Sequence, residues 1–254
     1  MRAGNADVPE LIKDLNELSA QMGYTKIFAK ISAESADPYI NDGFVTEARA
    51  RNLLRGESDC LFMGKFLSPR REHEHLDMQY EQVLKLSITA KDSNQEKRSL
   101  QGYSIRKCTE NDADEMGRIY SEVYKTYPFP IDSPTYIAGT MKRNIDYCCI
   151  EHKGSIAALA SMEIDSSNMC VEMSDFATLQ QFRREGLATL LLLQLEENCI
   201  KRGIRSSFTI ARSISPGINI MFSRQGYTYA GRLRNNTQIS GEIESMNVWY
   251  KLLQ

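Results

Sequence analysis

The sequence lacks the features that would place it in a fibrous, disordered or membrane-spanning class. Its 254 residues contain only 15 Gly, 7 Pro and 1 Trp, which excludes a collagen-like or low-complexity chain. The apolar run Leu190–Leu193 is far shorter than the roughly 20 residues that cross a membrane. Acidic residues at Asp7, Glu10, Asp14 and Glu17 occupy the stretch where a signal peptide needs an apolar core, so we expect a cytoplasmic protein without a membrane segment.

The chain also lacks an excess of charge of one sign. Its 31 lysines and arginines face 33 acidic residues, which gives a formal net charge of −2. A surface of this balance does not attract polyanions over a distance. We therefore expect no nucleic acid among the principal partners.

Cysteine and histidine are too few and too scattered to indicate a disulfide framework or a metal site. There is no C-x-x-C pair, and the adjacent Cys148 and Cys149 cannot readily bridge each other. His73 and His75 are two residues apart, so they do not share a helix face. We expect buried free thiols and no bound metal.

Apolar periodicity divides the chain into two unequal parts, residues 1–67 and 103–254, joined by the charged stretch 68–102. The pattern of the charged stretch predicts a linker helix followed by a polar loop. The second part alternates strands with single helices, which predicts a mixed α/β sheet. The predicted strands begin at Tyr103 and continue over 146–151, 155–164, 169–178, 207–212, 227–233 and 245–253, with helices after Asn111-Asp112, over 187–201 and over 216–224.

The N-terminal part repeats the order of the C-terminal end. A helix ending at Gly23, the strand KIFAKI, a short helix and Gly43-Phe44 parallel Gly203, the strand FTIARS, a helix and Gly226-Tyr227. We interpret residues 1–67 as a degenerate half-copy, although two generic helix and strand runs would give the same order. The half-copy has no counterpart of the loop described next, so we expect a structural role, at the sheet edge or in a homodimer, and a single active site.

The most informative segment is EMSDFATLQQFRREGLAT, residues 172–189. A strand runs through R-x-x-G-x-A, at Arg183, Gly186 and Ala188, into a long apolar-faced helix. Backbone N–H groups at such a helix start can bind phosphate oxygens, and Gly186 permits close approach of the ligand. The segment is neither a G-x-G-x-x-G fingerprint nor a P-loop, and it predicts a pyrophosphate-binding loop.

These residues make the C-terminal part similar to the GCN5-related N-acetyltransferases, and the strings GYTKIFAKI, LFMGKFLSPRR, YPFPI, EMSDFATL, NNTQISG and ESMNVWYK resemble the beta-lysine N6-acetyltransferases of the compatible-solute pathway. The resemblance implies an acetyltransferase fold over 103–254 and acetyl-CoA as co-substrate. It also implies a strand splayed from its neighbour. The implied acetyl-CoA contacts are Phe176, Ala177, Thr178, Arg183, Arg184, Glu185, Gly186, Leu187, Ala188 and Thr189, with Ser215 and Asn219 near the CoA arm.

Acetyl transfer to a lysine-type amine, whose pKa is about 10.4, needs a base. Glu172 is the candidate because it is a carboxylate on the central strand and matches the glutamate of histone-acetylating relatives in the resemblance. A structural carboxylate is the alternative interpretation. Asp175 competes for the role, although strand alternation predicts that it faces away from Glu172.

Two positions depart from the family pattern. The tyrosine that usually meets the leaving thiolate is replaced by Phe222, and the helix asparagine is replaced by Ser215, one turn before Asn219. Tyr227, Tyr229, Tyr250 or solvent are the candidates for the missing acid. Since a thiol has a pKa of about 8.5, a strong acid is not obligatory.

The acceptor pocket is less defined by sequence. A beta-lysine carries a carboxylate and a second amine, so its pocket needs groups of both signs. The candidate pool is Tyr124, Tyr127, Phe129 and Asn247, together with Asn235, Asn236 and Glu244. Another small amine, a protein lysine, or a non-catalytic acetyl-CoA-binding module are the alternatives.

Overall fold

The computed structural model describes residues 8–90 and 102–253, and the polar loop predicted before residue 102 falls largely outside them, at 91–101. Ten strands form one sheet. In chain order they are β1 (Lys26–Ser32), β2 (Val45–Leu54), β3 (Ser58–Phe66), β4 (Tyr103–Lys107), β5 (Ile145–His152), β6 (Ser155–Asp165), β7 (Cys170–Thr178), β8 (Ser206–Arg212), β9 (Thr228–Ile239) and β10 (Glu242–Leu252).

Eight α-helices accompany the sheet in these described ranges. They are α1 (Val8–Met22), α2 (Ala36–Asn41), α3 (Pro69–Glu72), α4 (Asp77–Thr89), α5 (Ala113–Val123), α6 (Pro134–Met141), α7 (Leu187–Lys201) and α8 (Pro216–Arg224). Helix α6 was not predicted, although its first residues are typical of a helix start. Pro134 occupies its first turn, and the Ser133 hydroxyl accepts a hydrogen bond from the Tyr136 N–H.

The strand order is β1-β3-β2-β9-β10-β8-β7-β6-β5-β4. Neighbouring strands run antiparallel except β7 and β8, which are parallel. The mixed α/β sheet predicted from sequence is therefore confirmed. Each described helix is too short or too polar to span a lipid bilayer.

Helices cover both faces of the C-terminal half of the sheet. On one face, α5 and α6 pack through Met116, Tyr120 and Ile137 against Leu159 of β6. On the other face, Leu191 and Leu195 of α7 and Phe222 of α8 pack against the sheet, including Met173 of β7 and Trp249 of β10. Trp249 is thus a core strand residue. We refer to the first as the α5 face and to the second as the α7 face.

The N-terminal strands extend the same sheet through one junction. Ala48 of β2 pairs with Gly231 of β9, and a side chain on Gly231 would clash with the Glu47 carbonyl oxygen. Beside this contact, the buried Lys26 ammonium lies 2.6 Å from the Glu47 carboxylate and donates to the Arg234 carbonyl. The helix and strand order in this unit agrees with the half-copy interpretation, while the duplication itself stays a prediction.

The N-terminal strands also curl over the α5 face. Phe62 of β3 packs edge-on against Phe208 of β8, with ring centroids 5.6 Å apart. Ala50, Leu53 and Cys60 belong to the same buried cluster. The inner surface of β1 therefore approaches the centre of the sheet, although β1 lies at its far edge in strand order.

Candidate active site

The two parallel strands at the centre of the sheet separate partway along their length. Pairing of β7 with β8 covers Cys170 with Ser206 and Val171 with Ser207, and in the described chain it ends at Glu172 with Phe208. Beyond that point β7 stays with β6, and β8 stays with β10. We call the opening between residues 173–178 and 209–212 the fork. Its edges carry backbone groups that can bind an extended ligand.

A bulge in β7 corrects the expectation that Asp175 faces away from Glu172. Asp175 has a left-handed backbone, with φ of 55°, and the pairing of β7 with β6 shifts there by one residue. An extra residue in one strand reverses the alternation of the side chains that follow. As a result Glu172, Ser174 and Asp175 all lie on the α5 face, and Phe176 packs on the α7 face.

Glu172 stands at the last paired position before the fork. Burial raises the pKa of its carboxyl group to about 7, Lys30 opposes the rise, and the negative charges of Glu163 and Asp175 add to it. A carboxylate with this pKa holds and releases a proton near neutral pH, as a general base must.

Asp175 is held by two hydroxyl groups. The Ser161 hydroxyl donates to one carboxylate oxygen and the Tyr127 hydroxyl to the other, each at 2.6 Å. Burial raises the pKa of Asp175, and both hydrogen bonds act in the opposite direction. Because both oxygens are already engaged, Asp175 is less available for proton transfer than Glu172.

Of the predicted acceptor residues, Tyr124 and Tyr127 come together at the fork. Their rings lie 4.8 Å apart, and the Tyr124 hydroxyl donates to the Phe176 carbonyl oxygen at 2.6 Å. The Thr126 carbonyl and hydroxyl oxygens accept hydrogen bonds from Ser240 and Gly241, which closes the tip of the β9-β10 hairpin onto this loop. Phe129 in the same loop is 60% exposed.

The remaining predicted acceptor residues lie elsewhere. Asn247 is buried on the α7 face, where it donates to the Asn219 side-chain oxygen. The Asn235 side chain donates to the Arg71 and His73 carbonyl oxygens and so anchors the α3 segment. Asn236 donates weakly to Thr237, and Glu244 forms a two-point ion pair with Arg212 at the end of β8.

The predicted pyrophosphate loop connects the fork to α7. Gly186, with φ of 81°, directly precedes the first helical residue, Leu187. Arg183 and Arg184 are exposed, and the Arg183 guanidinium donates to the Thr178 carbonyl oxygen at the end of β7. Glu185 accepts a hydrogen bond from the Tyr103 hydroxyl. Ala188 and Thr189 are half-buried in the first helical turn.

The side of the fork facing α8 is aromatic rather than acidic. Phe222 packs edge-on against Phe176, with centroids 5.6 Å apart, and against Tyr227 at 4.8 Å. The Tyr227 hydroxyl is buried against Ser207, 2.7 Å away, and Tyr229 packs on Trp249. Phe222 therefore presents an aromatic ring without a hydroxyl group to this side of the fork.

Asn219 organises the interior of α8. Its amide nitrogen donates to the Arg212 and Ser215 carbonyl oxygens, and its oxygen accepts from Asn247 and from the Trp249 indole. An asparagine side chain has two donors and two acceptor positions, so all of its capacity is used within the protein. Ser215 itself precedes the first residue of α8.

The fork, the loop and Phe176 together fit the pantetheine and pyrophosphate of acetyl-CoA. The unpaired edge of β7 offers backbone donors and acceptors to an extended amide-bearing arm, and Phe176 and Phe222 provide an apolar wall. Two exposed arginines and the open first turn of α7 suit a diphosphate.

One charged group at this site comes from the N-terminal part and was not predicted. Lys30 of β1 lies with its ammonium 4.5 Å above the Phe208 ring, beside Glu172. Nothing in the local sequence KIFAKI indicates this, because the contact spans 178 residues. Ser161 and the bulge at Asp175 were missed as well, although aspartate is among the residues that adopt left-handed backbone most readily.

Comparison with known proteins agrees with this geometry. Residues 113–226 match the family model described as Acetyltransferase (GNAT) family. The chain is 39% identical to a beta-lysine N(6)-acetyltransferase of Methanococcus maripaludis, over 97% of this chain and 89% of that protein. A protein of the same name from Methanosarcina mazei is 30% identical, over 96% and 97%.

The fold is also found among solved structures. The ribosomal-protein-S18-alanine N-acetyltransferase of Escherichia coli superimposes with a TM-score of 0.53 at 17% identity, covering 60% of this chain and 94% of that one. At this identity the likeness concerns the fold alone. From the family match and the curated relatives, the chain belongs to the acetyltransferase (GNAT) family and is an N-acetyltransferase.

Proposed function

We propose that the chain transfers the acetyl group of acetyl-CoA to the N6 amine of beta-lysine, with Glu172 as the base. The observation that carries the mechanism is the position of Glu172 at the base of the fork, with a pKa of about 7. The choice of acceptor is supported by two relatives named beta-lysine N(6)-acetyltransferase, each matched over nearly the whole chain.

Glu172 accepts the proton that the acceptor ammonium must lose before its nitrogen can attack. Transfer from an amine with a pKa of about 10.4 to a carboxylate with a pKa near 7 is uphill by about 5 kcal/mol, so the nitrogen's attack must closely follow it, before the proton returns. The neighbouring Asp175 makes the site negative, which favours binding of a cationic amine.

The backbone of β7 would supply the rest of the chemistry. Acetyl-CoA brings an acyl group activated as a thioester. Backbone N–H groups along residues 173–178 that face the fork can stabilise the oxygen on which charge develops as the nitrogen bonds to the carbonyl carbon and the carbon–sulfur bond breaks. The departing thiolate takes a proton from solvent, since Phe222 has none to give.

The charge of the product fits a role as a compatible solute. Beta-lysine has two ammonium groups and one carboxylate, and acetylation of one amine converts a net charge of +1 to zero. A neutral zwitterion can accumulate without counterions. We propose that this is the use of the product.

The test is a panel of acceptors incubated with acetyl-CoA, with free thiol as the readout. Beta-lysine, lysine, linear diamines and a lysine-containing peptide form the panel. We expect the highest kcat/KM for beta-lysine, and a decrease of about 10²- to 10⁴-fold in E172Q. E197Q, a change at an exposed carboxylate on α7, is the matched control and should retain wild-type activity. Equal kcat/KM for all amines would contradict the proposed acceptor, and an active E172Q would contradict the proposed base.

A further inference from the structure

The edge strand β1 presents two exposed side chains toward the catalytic carboxylate. Phe28 packs on Phe62, with ring centroids 6.4 Å apart, and Phe62 packs on Phe208 at 5.6 Å. Lys30 is two residues further along β1, on the same side of the strand, with its ammonium 4.5 Å from the centre of the Phe208 ring. These contacts continue the curl of the N-terminal strands up to the active site.

Phe208 is the partner of Glu172 in the pairing of β7 with β8. Neighbouring strands in a sheet lie about 4.8 Å apart, so an ammonium above Phe208 lies beside the entrance to the Glu172 carboxylate. The two charges also interact, because Lys30 opposes the rise in the pKa of Glu172. The N-terminal unit therefore contributes a positive charge to a site that is otherwise lined by carboxylates.

Lys30 forms no close ion pair within the described part of the chain. Among residues 8–90 and 102–253, no carboxylate lies within 4.0 Å of its ammonium, and its side chain is exposed. Two other cations nearby are already paired with carboxylates. Arg212 forms a two-point ion pair with Glu244, and Lys26 is buried against Glu47. Lys30 is thus a cation at this end of the site that remains available to an anionic group.

We propose that Lys30 binds the carboxylate of the acceptor, so that the N-terminal unit makes the enzyme select a diamino acid over a plain diamine. The inference rests on the proposed function, since it takes acetyl transfer at Glu172 as given. The opening has carboxylates that can bind the ammonium groups of a diamino acid and, in Lys30, an ammonium that can bind its carboxylate. The Phe208 ring beneath the ammonium attracts its charge and favours this position of the side chain.

The test compares two acceptors that differ only in the carboxylate: beta-lysine and pentane-1,4-diamine, which is beta-lysine without that group. The variant is K30M, which keeps the length and apolar stem of the side chain. The matched control is K13M, at an exposed lysine of α1 in the same unit. K30R is the conservative variant, and thermal unfolding confirms that each protein is folded.

For K30M we expect the KM for beta-lysine to rise about 10- to 100-fold with little change in kcat, as follows from losing a charged hydrogen bond of about 1.5–3 kcal/mol. The KM for pentane-1,4-diamine should stay the same or fall, because a repulsive charge is removed. K30R should recover part of the affinity, and K13M should behave as wild type.

The outcomes separate this inference from the proposed function. If K30M retains the wild-type preference for beta-lysine over the diamine, or loses activity equally with both, Lys30 does not recognise the carboxylate, while acetyl transfer to beta-lysine stands. If the wild type releases no thiol with any acceptor, the proposed function fails, and the inference fails with it.

Discussion

Replacement of Glu172 by Gln should stabilise the protein at alkaline pH while it removes activity. The folded-state pKa of Glu172, about 7, lies above its ordinary value of 4.5 because of burial. Between these values the folded protein holds a proton that the unfolded chain releases. Stability is therefore undiminished below pH 4.5 and falls as the pH rises through 7. Gln has no proton to lose, so E172Q escapes this decrease.

The size of the effect follows from the two pKa values. Each pKa unit corresponds to about 1.4 kcal/mol, so ionisation of Glu172 should cost about 3 kcal/mol of unfolding free energy at pH 8. At pH 5 the cost should be about 1 kcal/mol or less. The gain in E172Q relative to wild type should therefore grow with pH and level off above pH 7.

The assay is urea unfolding of wild type, E172Q and E197Q at several pH values between 5 and 8.5. E197Q removes an exposed carboxylate and should give a curve parallel to that of wild type. Parallel curves for wild type and E172Q would refute the reasoning, because they would mean that Glu172 ionises in the folded protein as it does in the unfolded chain.

Three further substitutions test the surroundings of the site. K26M removes the ammonium that contacts the buried Glu47 carboxylate at the junction of the N-terminal strands and leaves Arg234, 3.6 Å away, as its cation, so the unfolding free energy should fall by about 1–3 kcal/mol in denaturant titrations. G231A places a side-chain carbon against the Glu47 carbonyl and should lower the thermal midpoint, whereas G217A, at a position with open space, should change it little. Y127F removes a hydrogen bond to Asp175 and should cost about 1–3 kcal/mol at pH 8, measured by the same titrations; an unchanged value would mean that this bond contributes nothing.

The secondary structure was largely readable because its signals are local. The predicted helix bounds 187–201 and 216–224 agree with α7 and α8. Gly186 precedes α7 and Pro216 begins α8, and each helix ends two residues before a glycine. Strand β9 was predicted to end at residue 233 but continues to Ile239. Its second half is polar and pairs with β10 in a hairpin, and polar strands lack the alternation on which sequence reading depends.

The loop that precedes α7 and the carboxylate Glu172 were also found from sequence, because both lie in one continuous segment. The position of Asp175 was not, since a single bulge reverses the alternation that a regular strand would have. Asn219 and Asn247 were read as ligand groups, whereas the structure pairs them with each other in the interior. An asparagine side chain forms the same hydrogen bonds to a buried protein group as to a ligand, so residue type alone does not distinguish a structural role from a binding role.

The sequence by itself determined the mixed α/β sheet and the family resemblance, and it predicted the pyrophosphate-binding loop and Glu172 as the base, all of which depend on neighbouring residues. Only the tertiary structure decided that Glu172 and Asp175 share one face, that the sheet opens beyond Phe208, and that Lys30 reaches the site. These features arise from strand pairing and sheet curvature, which join residues far apart in the chain. No local pattern encodes such contacts, because their geometry is set by the packing of the whole sheet.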